Sequence, residues 1–253
     1  MEMPPIFYEV HSGLPREGPG SNESTQRAFK TLKNLPTKPR ILDIGCGPGM
    51  QTIELAKLSS GQIEAVDNHQ PFLDQLNSSA KKEGLSDKIK TVKGDMFYLK
   101  YEKDSFDIVW CEGAIFIIGF EKGLCEWRPL LKNGGYMVVS ELSFFREDLP
   151  QELAVYMKEM YAGLEGSEAR SVEANLETAK EISFKVVDSF ALPKSGWWDN
   201  YYLPIEAKLP QLKAKHKDEP EAMQYLAGEE REIEMYRKYS DYYGYAFYVL
   251  QKL

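Results

Sequence analysis

Apolar residues come in short continuous runs separated by polar, turn-rich stretches. Arg40-Ile-Leu-Asp-Ile, Gln62-Ile-Glu-Ala-Val-Asp67, Lys88 to Lys93, Ser105-Phe-Asp-Ile-Val-Trp-Cys and Tyr136-Met-Val-Val-Ser-Glu141 are brief and rich in β-branched residues, which predicts five buried strands. Between them the period turns helical. A helix is expected from about Gln51 to Leu58. A second opens at Pro71, carries Phe72, Leu73, Leu76 and Ala80 on one stripe, and closes at Gly84. A third runs from Glu121 to Lys132, with Pro129 near its last turn, before Gly134-Gly135 turns the chain. Strands alternating with helices predict a parallel sheet covered on both faces.

The two ends of the chain read differently. Residues 1–23 are expected to be irregular, being rich in Pro and Gly. Ser24 or Thr25 can cap a helix through Arg27, Phe29 and Leu32 toward Leu35, ended by Pro36 and Pro39. Residues 143–181 read as mostly helical. Phe184 to Leu192 predicts a sixth strand and Gly244 to Gln251 a seventh. The segment 195–243 between them is too long for a plain loop. Its patterns Pro204 to Lys215 and Pro220 to Tyr239 predict a small helical, aromatic cap over one end of the sheet. The expected fold is therefore α/β: a doubly wound, seven-stranded, mostly parallel sheet. One domain spans 1–253, with an N-terminal lid or helix over 1–35 and a cap over 195–243 inserted between strands six and seven.

Composition narrows the function. The 253 residues are 43% hydrophobic and 28% charged, as in an ordinary globular domain. A formal net charge of −8 counts against a nucleic-acid partner. The one basic cluster, Lys213-Ala-Lys215-His216-Lys217, is followed by Asp218 and Glu219 and reads as a solvated helix face. Cys46, Cys111 and Cys125 are scattered and form no C-x-x-C, which points to a reducing cytoplasm. His11, His69 and His216 lie far apart, which counts against zinc. No apolar run approaches the ~18 residues of a membrane span, and the start lacks the pattern of a secretory leader. The oligomeric state is not legible.

The chemistry concentrates at Gly45, Gly47 and Gly49, between the first strand and its helix. Glycines there let a ligand approach the backbone and permit positive φ, and the following helix offers free N–H groups. A dinucleotide could use such a loop, but its G-x-G-x-x-G fingerprint fails here because position 50 is Met. The alternative is S-adenosylmethionine, whose ammonium and sulfonium suit an acid at the strand end, where Asp43 stands.

The run Asp43-Ile-Gly45-Cys46-Gly47-Pro-Gly49 resembles the first motif of class I S-adenosylmethionine-dependent methyltransferases, and the resemblance extends through most of the chain. It implies that Gly45, Cys46, Gly47 and Gly49 receive the cofactor. It implies that Asp67, with Asn68 beside it, holds the ribose hydroxyls, and that Asp95 and Met96 contact the adenine. Trp110-Cys-Glu112-Gly-Ala matches the stretch lining the methionine moiety. Leu131-Lys-Asn-Gly134-Gly135 resembles the L-K-P-G-G turn before strand five, with Asn133 in place of the common proline. Gly-Leu-Pro-Arg16-Glu-Gly-Pro-Gly20-Ser21, Glu112-Gly-Ala-Ile-Phe-Ile-Ile-Gly119-Phe and the final Tyr-Tyr-Gly-Tyr resemble a microbial subgroup of undefined substrate.

Methyl transfer from a sulfonium needs alignment and water exclusion more than acid–base chemistry; a base is required only when the acceptor must lose a proton early. Glu112 and Glu141, both at strand ends, are the catalytic candidates, bordering the methionine moiety and the acceptor. Arg16 and Ser21 are expected to close over the cofactor, with Arg16 paired to its carboxylate. Leu142-Ser143 replace the Asp-Asn of metal-dependent catechol-type enzymes, so no metal is expected. The D/N-P-P-Y/F motif of amino-methyltransferases acting on adenine or glutamine is absent, which leaves a small metabolite as the acceptor class. Trp197-Trp198, Tyr201-Tyr202 and Tyr242-Tyr243 suit a flat or cationic acceptor or, more plainly, form the packing core of the cap. Three other readings stay open: a dinucleotide-dependent oxidoreductase, an S-adenosylmethionine-binding regulatory protein without catalysis, and a tRNA or rRNA methyltransferase.

Overall fold

Residues 4–162 and 168–253 are described by a computed structural model, so five residues of the stretch expected as mostly helical, 163–167, lie outside the description, as do 1–3 of the expected irregular start. The chain opens with α1 (Pro5–His11) and α2 (Asn22–Thr31), then alternates β1 (Arg40–Ile44), α3 (Met50–Leu58), β2 (Gln62–Asp67), α4 (Gln70–Lys82), β3 (Ile89–Lys93), β4 (Phe106–Glu112), α5 (Phe120–Trp127) and β5 (Leu131–Phe144). It continues with α6 (Gln151–Met160), the short β6 (Arg170–Ser171), α7 (Val172–Glu181) and β7 (Phe184–Ala191). The helices α8 (Lys194–Trp197), α9 (Leu203–Lys215) and α10 (Pro220–Tyr239) precede the last strand, β8 (Tyr243–Lys252).

The sheet runs β3-β2-β1-β4-β5-β8-β7, and β6 pairs with the far end of β5. Pairs among β1 to β6 are parallel; β8 lies antiparallel to both β5 and β7. The sheet is thus eight-stranded and mostly parallel, the expected seven plus β6. Alternation along the strands sends Ile41, Ile108, Trp110 and Val138 into one core layer and Leu42, Val109, Met137 and Val139 into the other. Burial on both faces explains why the strands read as continuous apolar runs.

Several boundaries differ from expectation. The N-terminus is not irregular throughout: α1 starts at Pro5, whose fixed φ suits a first helical turn, and buries Ile6, Val10 and His11. Tertiary contact with α9 and α10 stabilises a helix whose seven residues would not hold alone. His11 Nε2 lies 3.2 Å from the Tyr201 hydroxyl, and Tyr8 stacks on His69 with centroids 4.3 Å apart. The next helix starts at Asn22, with Ser21 as its cap, and stops at Thr31 short of Leu35. The helix expected to reach Lys132 ends at Trp127. A 3₁₀ turn at Arg128–Leu130 takes up Pro129, and β5 begins at Leu131. Gly134 and Gly135 do not end an element. Four residues of β5 stand opposite Asp107 alone, between the pairs Phe106↔Leu131 and Ile108↔Tyr136, and Gly134 takes φ +75° within that bulge. The stretch 143–181 holds α6 and α7 but also the end of β5 and all of β6.

Between β7 and β8, α8, a π-helical turn at Trp198–Tyr202, α9 and α10 form the aromatic layer. Trp197 stacks on Tyr236 at 4.2 Å and tilts against Tyr245 at 4.9 Å; Tyr202 lies 5.4 Å from Tyr236. These rings are each other's packing partners. No helix among the described residues is long and apolar enough to cross a membrane.

Candidate active site

The loop after β1 is held by its own backbone. Gly45 N and Cys46 N both donate to Val66 O of β2, at 2.9 and 3.0 Å, and Gly49 N donates to Cys46 O at 3.1 Å. Gly45, Gly47 and Gly49 take φ values of +69°, +52° and +91°. A Cβ on Gly45 would stand 2.7 Å from Ala114 Cβ, and one on Gly49 only 2.3 Å from Leu76 Cδ1, so both are fixed by close approach as well as by φ. Gly47 differs: its nearest neighbour would be Glu17 Cγ, at 3.6 Å. Helix α3 starts at Met50 with no side chain capping its N-terminus. Its first N–H groups and dipole face the loop.

Acids surround the glycines. Asp43 is fully buried at the end of β1; its Oδ2 accepts from the Thr52 hydroxyl at 2.6 Å, while Oδ1 has no partner. Burial pushes its carboxyl up to about 7, helped by Glu112 and opposed by Thr52, Gln51 and Arg16. Asp67 spans the turn after β2, with Oδ2 accepting from Gly47 N at 2.9 Å and Oδ1 from His69 N at 2.8 Å. Burial raises it too, against those two donors. It therefore fixes the middle glycine while each oxygen keeps a lone pair. Asn68 beside it is exposed.

Glu112 is the most connected residue of the group. Its Oε2 accepts from Arg16 Nη1 at 2.7 Å; its Oε1 accepts from Thr25 Oγ1 at 2.7 Å and Trp110 Nε1 at 2.9 Å. The Arg16 and Glu112 side chains are 5% and 2% exposed. Arg16, expected on the carboxylate of the cofactor, is thus held by an anion of the protein itself. Ser21, expected to close over the cofactor, caps α2 instead, accepting from Ser24 N at 3.1 Å. The segment between α1 and α2 is also tied to the aromatic layer: Gly20 N donates to Gly196 O, and Asn200 Nδ2 to Gly20 O, both at 3.0 Å.

The remaining candidates are more dispersed. Asp95 is exposed, its Oδ1 accepting from Phe97 N at 3.0 Å in a tight turn. Met96 places Cε 3.6 Å from the Cβ position of Gly45, at the loop. Cys46 contributes backbone only; its buried thiol is pushed well above the ordinary range. Glu141 does not join Glu112. The register Glu112↔Ser140 puts Ser140 on the Glu112 face and Glu141 on the other. There Glu141 Oε1 accepts from Leu142 N at 2.9 Å and from the Tyr161 hydroxyl at 3.2 Å, and Oε2 has no partner. Burial lifts this carboxyl to about 8. Sequence reasoning missed Glu17 and Thr25. Thr25 carries no pattern that marks it, whereas Glu17 stands inside the Gly-Leu-Pro-Arg-Glu-Gly-Pro-Gly run.

These residues fit S-adenosylmethionine on structural grounds. An unpartnered Asp43 oxygen, an uncapped helix start, a Gly47 whose Cβ position meets only Glu17 Cγ, and an acid at the end of β2 gather at one loop. Among the described residues no group of three or more His, Cys, Asp or Glu is placed to hold a metal ion.

Comparison with known proteins agrees. Residues 41–135 match the model of a methyltransferase domain family. A sterol 24-C-methyltransferase, ERG6B of Gibberella zeae, is 33% identical over 111 residues, covering 43% of this chain and 29% of that protein. The sterol 24-C-methyltransferase of Kluyveromyces lactis is 25% identical over 170 residues, 65% of this chain and 45% of that protein. The chain thus spans less than half the length of these curated relatives. Among solved structures, a methyltransferase of Geobacter sulfurreducens in complex with S-adenosyl-L-homocysteine superposes with a TM-score of 0.82 at 21% identity, covering 100% of this chain and 99% of that one. The [4+2]-cyclase SpnF superposes at 0.76 and 19%, covering 98% and 92%. Residues 41–135 thus match a methyltransferase domain, and the chain has, along its whole length, the Rossmann-like fold of solved S-adenosylmethionine-dependent methyltransferases.

Proposed function

We propose that this chain transfers a methyl group from S-adenosylmethionine to a small-molecule acceptor by in-line displacement. The observation that carries the reading is the loop Gly45–Gly49, left-handed at three glycines and set between the acids that end β1 and β2. The cofactor supplies a methyl group already activated by a positive sulfur. The protein's part is to bind, align and exclude water. Asp67 offers acceptors to the ribose hydroxyls, with Asn68 beside it. Asp95 and Met96 stand where the adenine is expected, and Gly45, Cys46, Gly47 and Gly49 offer backbone. Asp43 offers an unpartnered oxygen to the ammonium, and Glu112, its charge balanced by Arg16, stands beside it. Arg16 and Thr25 hold Glu112, and Ser21 shapes the segment that carries Arg16. That segment covers the site from the N-terminal side.

Glu112 acts through position, since both its oxygens are engaged. Where an acceptor must lose a proton, Glu141 is the candidate with an unpartnered oxygen and raised proton affinity. The acceptor class rests on the acidic charge balance and the missing D/N-P-P-Y/F motif, which favour a small metabolite over nucleic acid. Sterols belong to the names of the curated relatives, whose matches cover 43% to 65% of this chain. With three unpaired cysteines, two of them buried, we place the protein in a reducing cytoplasm.

A metabolite extract incubated with the enzyme and methyl-labelled S-adenosylmethionine tests the reading: a labelled small product supports it. The likeness to SpnF, a [4+2]-cyclase, favours one second reading, a protein of this fold that does not transfer methyl groups. Tight binding with no labelled product across a broad extract would favour that reading; tight binding of a nicotinamide dinucleotide instead would favour an oxidoreductase.

A further inference from the structure

Glu17 follows Arg16 in the segment between α1 and α2, and nothing above gives it a role. Its Cγ lies 3.6 Å from the Cβ position of Gly47, so the side chain rests on the middle glycine of the loop. Its Oε2 is buried and accepts no hydrogen bond. The groups that face it are Asp67 at the end of β2, Lys208 of α9 and Tyr225 of α10. Lys208 is not paired with it: its ammonium is held by the carbonyls of Val10, at 2.8 Å, and Ser12. Two carboxyls thus converge on one glycine with no cation fixed between them. Such a pair repels unless a ligand supplies donors. Asp67 already accepts one backbone N–H on each oxygen, so a partner with two hydroxyls gains from a second acid alongside.

We propose that Glu17 is a cofactor-binding residue, brought by the N-terminal segment onto the ribose diol so that it and Asp67 accept hydrogen bonds from the two hydroxyls. This rests on the methyltransferase reading. Burial and the Asp67 charge push the Glu17 carboxyl up to about 8 in the free protein, with Lys208 opposing. Hydroxyl donors favour the carboxylate, so the bound value is lower and a proton leaves on binding near neutral pH. Affinity then rises with pH until the free-protein value is passed, and is level above it.

Calorimetric titration of the full chain tests this with two probes, S-adenosylhomocysteine and 5′-methylthioadenosine. The second has no amino acid end, so a released proton cannot come from the ligand amine. The wild type is expected to bind both and to release a proton at about pH 7, read from heats in buffers of different ionisation enthalpy. E17Q is expected to bind both about tenfold more weakly at about pH 8, to release no proton on binding 5′-methylthioadenosine, and to lose far less affinity for the 2′,3′-dideoxy analogue of that probe. An E17Q variant that binds with wild-type affinity and an unchanged pH profile overturns the inference. So does an equal loss on the dideoxy probe, which would make Glu17 a residue acting through the fold. Either result leaves the methyltransferase reading intact. Failure of the wild type to bind S-adenosylhomocysteine at all overturns both.

Discussion

Glu112 is buried with three donors converging on it, from Arg16, Thr25 and Trp110. A buried ion pair gives little net stability beyond an apolar pair, but removing one partner leaves the other charge without solvent. E112Q is therefore expected to cost about 3 kcal/mol in denaturant unfolding, far more than an exposed pair such as Arg146–Asp148 is worth. A loss under about 0.5 kcal/mol would mean that the network does not hold the N-terminal segment. At this scale the sequence was informative about which acids gather at the loop and poor about their partners. Asp43, Asp67 and Glu112 were visible because each ends a strand. That Arg16 meets Glu112 depends on a contact across a sequence separation of 96, which no local pattern carries.

The element that matters most is the turn from β1 into α3. Gly49 combines φ +91° with a Cβ position 2.3 Å from Leu76, in the fully buried core of α4. G49A is expected to destabilise by about 2–3 kcal/mol, from left-handed strain and overpacking together. L76A removes the overpacking but itself costs about 2–5 kcal/mol through its cavity, so the G49A effect is read in the L76A background by chemical unfolding, where only the φ part should remain. If G49A cost nothing in that background, the φ argument would fail. This turn was legible because glycine spacing, strand and helix all agree on it. The helix α1 was not: Pro4, Pro5 and the glycines that follow read as loop, and the helix exists because Ile6 and Val10 find α9 and α10. The length of β5 was hidden likewise, since Gly134-Gly135 marks a turn in sequence but forms a bulge inside a continuing strand.

Among the described residues, several acids are raised well above the ordinary carboxylate range. Asp43 is raised to about 7, Glu232 to about 7, and Glu17 and Glu141 to about 8, burial being the first cause of each. A carboxyl held neutral in the folded chain binds its proton there and loses it on unfolding between the ordinary value and the raised one. The stabilisation is complete below the ordinary value and is lost as pH rises through the raised value. The unfolding temperature is therefore expected to fall from about pH 5.5 to about pH 8. E141Q, which mimics the protonated acid, should match the wild type at the lower pH and exceed it at the higher one. A wild-type unfolding temperature that rose over this interval would refute the electrostatic picture. Net charge and strand order pointed to an acidic α/β protein from the sequence; the burial of these acids required the fold.

One titration bears on the whole account: S-adenosylmethionine against the wild type, D67A and G47V, with circular dichroism confirming that each variant is folded. A saturable one-site isotherm is expected for the wild type and at least tenfold weaker binding for both variants, since D67A removes the acceptors proposed for the ribose and G47V forces a branched side chain into left-handed backbone. Binding of the methyl donor to both folded variants with wild-type affinity would contradict it.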